Sequence, residues 1–104
     1  MKVVLVKVLI WISDECKSLF EVVDGIKKSG NEVGLLLVQD GVFQADKGNP
    51  CSKGVMKLGV PVYAARPHVQ ERGLEGRLTP GVSLVDFGDM VDLAMDKYEM
   101  IVSL

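Results

Sequence analysis

The residues in this chain with reactive side chains are few: two cysteines, Cys16 and Cys51, and one histidine, His68. Cys51 follows Gly48-Asn49-Pro50 and is flanked by Lys47 and Lys53. Ammonium groups and the amino end of a helix both favour a thiolate, which is the nucleophilic form of cysteine. Pro50 suits the first turn of a helix through Val55, Met56 and Leu58, so Cys51 is the thiol to consider for chemistry. The plainer reading, a cysteine that happens to sit at a loop-to-helix junction, stands beside it, and Gly54 weakens the helix. Cys16 falls in phase with Leu19, Phe20, Val23 and Ile26 and is expected to be a small buried hydrophobe. His68 has no Ser or Asp constellation beside it in the sequence and reads as a surface residue rather than a general base. One His and two scattered Cys do not supply the four ligands of a zinc site, so neither a metal nor a cofactor is expected, and no catalytic residue is assigned.

These residues must be positioned by the elements around them, and the organising stretch is Val33 to Gly41, VGLLLVQDG. Four successive large apolar residues, Leu35 to Val38, suit a strand covered on both faces, as in a parallel sheet. That strand stops at a polar turn, with Asp40 as a possible cap and Gly41 allowing the bend. The carboxyl ends of strands in open α/β sheets are where ligands and partners dock, so Asp40-Gly41 marks the working edge. Val3 to Ile12 predicts the first strand, with Lys7 near an end or edge. Ser13 and Asp14 then predict a helix start, and Lys27, Lys28 and Gly30 its end. Val42 to Ala45 begins a short helical turn before the breaker cluster Asp46 to Pro50. Val60 to Ala65 is the third strand, followed by a short helix from Pro67 through Arg72 to Gly73. Val82 to Asp86 is the fourth strand, Asp89 the cap of a helix carrying Met90, Val91, Leu93 and Ala94, and Tyr98 to Leu104 the fifth strand. This alternation predicts an α/β fold with a mainly parallel five-stranded sheet and helices on both faces, a three-layer α/β/α sandwich of open strand order.

At 104 residues the whole chain, 1–104, is expected to be one domain with one core. Its content of 48% hydrophobic and 25% charged residues argues against disorder. A net charge of -2 gives no electrostatic reason for direct nucleic-acid binding. The amino-terminal apolar run is interrupted by Lys7 and falls short of the roughly 20 residues that span a bilayer, so no membrane segment or signal peptide is expected. Two cysteines without CxxC spacing fit reduced thiols in a cytoplasm. No GxGxxG or P-loop follows any strand, which removes support for a dinucleotide or triphosphate site.

Several blocks in fixed order carry a resemblance. They are Gln39-Asp40-Gly41-Val42, Gly48-Asn49, Val62-Tyr63-Ala64, Glu71-Arg72-Gly73-Leu74 with Gly76, and Val85-Asp86-Phe87 with Asp89, Met90 and Val91. Together they resemble the TusB/DsrH family of the DsrE-like (DsrE/DsrF/DsrH) superfamily, over roughly the last two-thirds of the chain. The resemblance implies a subunit of a cytoplasmic sulfur relay, in a hetero- or homo-oligomer with sister DsrE/DsrF-like (TusC/TusD-like) subunits or with itself. Such a relay serves 2-thiolation of the tRNA wobble uridine or sulfur oxidation. In sister subunits the sulfur-carrying cysteine ends the strand before the Arg-Gly helix, and the matching position here is Ala65. Alanine holds no persulfide, so the resemblance implies a non-catalytic partner. Asp40, Gly41, Arg72 and Gly73 are then the expected interface or sheet-edge residues. Two alternatives stay open: a sulfurtransferase with Cys51 as its persulfide carrier, and a stand-alone α/β binding module of altered function.

Overall fold

The central strand is as apolar in space as in sequence. In the computed structural model, which describes residues 6–14 and 19–104, β2 (Glu32–Leu37) is buried from Val33 to Leu37, with Leu35, Leu36 and Leu37 all at 0% exposure. Burying each of those side chains is worth about 1.5–3 kcal/mol, and a strand lined with them on both faces has to lie inside a sheet. It pairs with β1 (Lys7–Ile12) on one side and β3 (Val62–Ala65) on the other. β4 (Val82–Val85) pairs with β3, and β5 (Met100–Ser103) with β1. The order is β4-β3-β2-β1-β5, and every pairing is parallel. Lys7 stands exposed at the start of β1, where a charge is tolerated in an otherwise interior strand.

Alternate residues divide the core into two clusters. One face carries Ile10, Ile12, Leu35, Leu37 and Ala64 and is covered by α1 (Phe20–Lys28), a 3₁₀ turn Gln39–Ala45, α2 (Pro50–Met56) and α3 (Arg66–Glu71). The other carries Leu9, Leu36, Tyr63 and Ala65 under α4 (Phe87–Asp92), which continues as a π-helical turn, Leu93–Lys97. The connections after β1, β2 and β3 therefore cover one face, and the connection after β4 crosses the other face to bring β5 beside β1. Neighbouring connections diverge between β3 and β4, so the carboxyl ends of those two strands form the topological switch point of the sheet.

Several local expectations are corrected. The described part of α1 is preceded by Leu19, which offers no side-chain cap. The helix start expected after Ser13 and Asp14 falls outside the described residues; the Asp14 carbonyl accepts from Gln44 Nε2 at 2.8 Å. Residues 15–18, with Cys16 among them, lie outside the described residues. Phe20 does not join the inward stripe: it is 63% exposed, because Leu19 and Val23 hold the inward face and Phe20 lies about 100° round the helix from Leu19. The cap of α4 is Asp86 and not Asp89. Asp89 stands three residues later as the reciprocal partner, its Oδ2 accepting from the Asp86 N–H at 3.0 Å. Within β2, Gly34 leaves room for Tyr98, whose hydroxyl and ring would meet any Cβ added there.

Candidate functional site

The switch point is built from Ala65 and Arg66 at the end of β3 and Val85 and Asp86 at the end of β4, with Ala65 and Val85 in register. Ala65 has 0% exposure and packs in the cluster under α4. Arg66 Nε bridges to Asp86 Oδ1 at 3.0 Å across the two loops. The His68 ring meets the Phe87 ring edge to face, 6.2 Å between centroids. At the neighbouring end of β2, the Gln39 N–H donates to His68 Nδ1 at 2.8 Å, which leaves the ring proton on Nε2. Gln39 has φ +50°, a left-handed conformation that costs a non-glycine residue about 1–2 kcal/mol. The histidine bond helps to hold it there.

His68 is thus partly exposed and pinned to the backbone, and among the described residues no nucleophile hydrogen-bonds to it. The short helix α3 places it there because Pro67 starts the turn and Gly73, at φ +65°, ends it.

Two expected edge residues, 32 positions apart, are brought together. Arg72 Nε lies 3.1 Å from Asp40 Oδ1, and the same guanidinium reaches the His68 carbonyl and the Glu71 carboxylate. Asp40 is well exposed, so the pair contributes only about 0–1 kcal/mol to stability; it fixes the shape of the edge instead. Gly41 is buried, and a Cβ there would run into the Ile12 carbonyl, so close approach of backbone to backbone requires the glycine.

Cys51 lies in the first turn of α2, whose cap is Asn49: its Oδ1 accepts from the Cys51 N–H at 2.9 Å. The expectation of a reduced thiol is corrected, since Cys51 is disulfide-bonded. Cys16, the other cysteine of the sequence, falls outside the described residues. Beside Cys51, residues Lys47, Ser52, Lys53, Met56, Lys57 and Thr79 line an open cleft of about 370 Å³. Asp46 is buried; the Gly48 N–H at 2.9 Å holds its carboxyl below the usual carboxylate range against the opposing effect of burial, with Arg77 at 3.2 Å and Lys47 adding to the lowering. Among the described residues no group of three or more His, Cys, Asp and Glu side chains could hold a metal ion. No helix among them is long and apolar enough to cross a membrane.

The profile of the family described as DsrH like protein matches residues 13–100. The chain belongs to the DsrH family. Protein TusB of Escherichia coli strain K12 is 32% identical to it over 85 residues, 82% of each chain. Two solved structures share the fold at low identity. MTH1491 of Methanobacterium thermoautotrophicum, a protein of unknown function, superposes with a TM-score of 0.76 at 16% identity, covering 95% of this chain and 99% of that one. The ychN protein of E. coli superposes with a TM-score of 0.71 at 15% identity, covering 97% and 100%. The family match over residues 13–100 thus extends beyond the last two-thirds that the sequence blocks span.

Gln44 and the Asp46–Arg77 pair escaped the sequence reading. Gln44 is fully buried inside the 3₁₀ turn, and Asp46 lies in what looked like an exposed breaker cluster. Its bond to the Gly48 N–H, two residues on, is the local turn chemistry that Asp-x-Gly offers, and this was the available signal.

Proposed function

We propose that this DsrH-family chain is a non-catalytic subunit of a cytoplasmic sulfur relay that passes persulfide sulfur toward tRNA wobble-uridine 2-thiolation or toward sulfur oxidation. The observation that carries this reading is Ala65. It occupies the switch point of the sheet, where this fold places its chemistry, and it has no sulfur and no exposure. Persulfide transfer needs an acceptor thiolate that attacks the outer sulfur of a donor persulfide and releases the donor's own thiolate. The described groups around Ala65 are an ion pair, a pinned histidine and an aromatic ring, none of which performs that attack.

On this reading the sulfur carrier is a sister DsrE/DsrF-like (TusC/TusD-like) subunit, and this chain contributes the shaped edge Asp40-Gly41 and Arg72-Gly73 as a docking surface. The alternative with Cys51 as carrier requires the disulfide to be reduced first, because a disulfide-bonded sulfur is neither a thiolate nor a persulfide.

Capture of the tagged chain from its native cell, followed by identification of co-purifying proteins, tests the proposal. Cysteine-bearing subunits of the same fold are expected. Arg72→Ala is expected to cost under about 1 kcal/mol of stability yet weaken capture, since its ion pair is exposed and its role is at the edge. Capture of no such subunit would overturn the reading.

A further inference from the structure

Cys51 is disulfide-bonded, and the sequence holds one other cysteine, Cys16, so within a single chain the bond joins these two. They stand 35 positions apart, and the loop that the bond closes includes α1, β2 and the 3₁₀ turn. The cross-link therefore ties the first turn of α2 to the chain ahead of α1. Cys51 is partly exposed, so its end of the bond is open to a thiolate from solution.

The charge around Cys51 is one-sided. From Lys47 to Lys57 the sequence carries three lysines and no acidic residue, although the net charge of the chain is -2. All three line the cleft together with Ser52, the next residue after Cys51 along α2. Among the described residues none of the three makes a salt bridge. The preceding carboxylate, Asp46, is already engaged by the Gly48 N–H and by Arg77 Nε. Uncompensated cations act twice on thiol–disulfide exchange: they concentrate an anionic attacking thiolate, and they make the cysteine beside them a better leaving group.

We propose that Cys51 is the exchange site of a reversible disulfide, opened by an anionic low-molecular-weight thiol drawn to the lysines of the α2 cleft. In the first step the thiolate attacks the Cys51 sulfur and forms a mixed disulfide there, and the electron pair of the broken S–S bond leaves on the Cys16 sulfur, which takes up a proton from water. In the second step another thiolate attacks the sulfur of the bound thiol and releases the Cys51 thiolate. Two thiols are oxidised to their symmetric disulfide and one protein disulfide is reduced; the reverse reaction closes the bond again. In the reducing compartment that the sulfur-relay reading gives this chain, disulfides are transient and redox-active rather than structural, and to that extent the inference rests on that reading.

The test uses the purified full chain without reductant, alkylation with iodoacetamide, and peptide mass mapping. The untreated chain is expected to take up no label. Brief exposure to 2-mercaptoethanesulfonate should place this thiol on Cys51 and leave Cys16 to be alkylated. Per thiolate, that probe should react at least about threefold faster than neutral 2-mercaptoethanol at about 0.05 M salt. The preference should vanish at about 0.5 M salt, and at low salt in Lys53→Gln/Lys57→Gln, whose fold circular dichroism verifies. Full reduction should lower the Tm by about 10 °C, and the oxidised thiol should restore it. Label on Cys51 in the untreated chain, a bond that stays closed under excess thiol, an adduct on Cys16 instead of Cys51, or equal rates for the two probes at low salt would each overturn the proposal. No sulfur donor or sister subunit is present, so failure here leaves the relay reading standing, and failure to capture sister subunits leaves these rates and adducts unchanged.

Discussion

Asp46 links a buried residue to a measurable pH dependence. Its native carboxyl titrates below its ordinary value of 3.8, chiefly because the Gly48 N–H donates to the charged form, with Arg77 and Lys47 adding to this. A lowered native value means stabilisation that is complete above the unfolded-state value and lost as pH falls through the native one. Asp46→Asn is therefore expected to lower stability at neutral pH, and the gap between variant and parent to close below about pH 4. Urea unfolding at a series of pH values measures this; a gap that persists unchanged at low pH would show that the charge is not what stabilises the loop. At the same scale, Cys51 shows what sequence spacing hides. Its place in the first turn of a helix was legible from Pro50, and Asn49 caps that helix, but its bonding partner is set by the tertiary fold and leaves no local mark. Asp40 and Arg72 were legible as edge residues one by one. Their contact was not, since it depends on β2 and β3 lying side by side.

At the scale of elements, the strands declared themselves because a parallel sheet buried on both faces needs unbroken apolar runs, and Leu35-Leu36-Leu37 and Val62-Tyr63-Ala64 supply them. Helix starts were less legible. Asp86 and Asp89 both have the chemistry of a cap, and only the reciprocal geometry tells cap from partner. Gly34 is a strand glycine explained by a neighbour 64 positions away, for Tyr98 fills the space that a side chain would occupy. The same burial, together with the Tyr63 hydroxyl at 3.4 Å, pushes the Tyr98 phenol above its ordinary range, so this tyrosine stays neutral. Gly34→Ala is expected to destabilise the fold by about 1–3 kcal/mol through overpacking. Combined with Tyr98→Leu, the total loss should be less than the sum of the two single changes, because removing the ring removes the clash. Additive losses in denaturant unfolding would mean that the two sites are not in contact.

At the scale of the whole molecule, strand order was the part that the sequence left open, and it is the part that locates the site. The order β4-β3-β2-β1-β5 puts the divergence of connections between β3 and β4, beside Ala65, the position at which the family resemblance expects the sulfur carrier of sister subunits. A scaffold of this kind with alanine at that place retains the shape of the edge without a nucleophile to use there. The most direct test is intact-mass spectrometry of the co-purified assembly after incubation with a cysteine desulfurase and cysteine. The account predicts added sulfur on a partner subunit and none on this chain; added sulfur on this chain, at Cys51 or elsewhere, would contradict it.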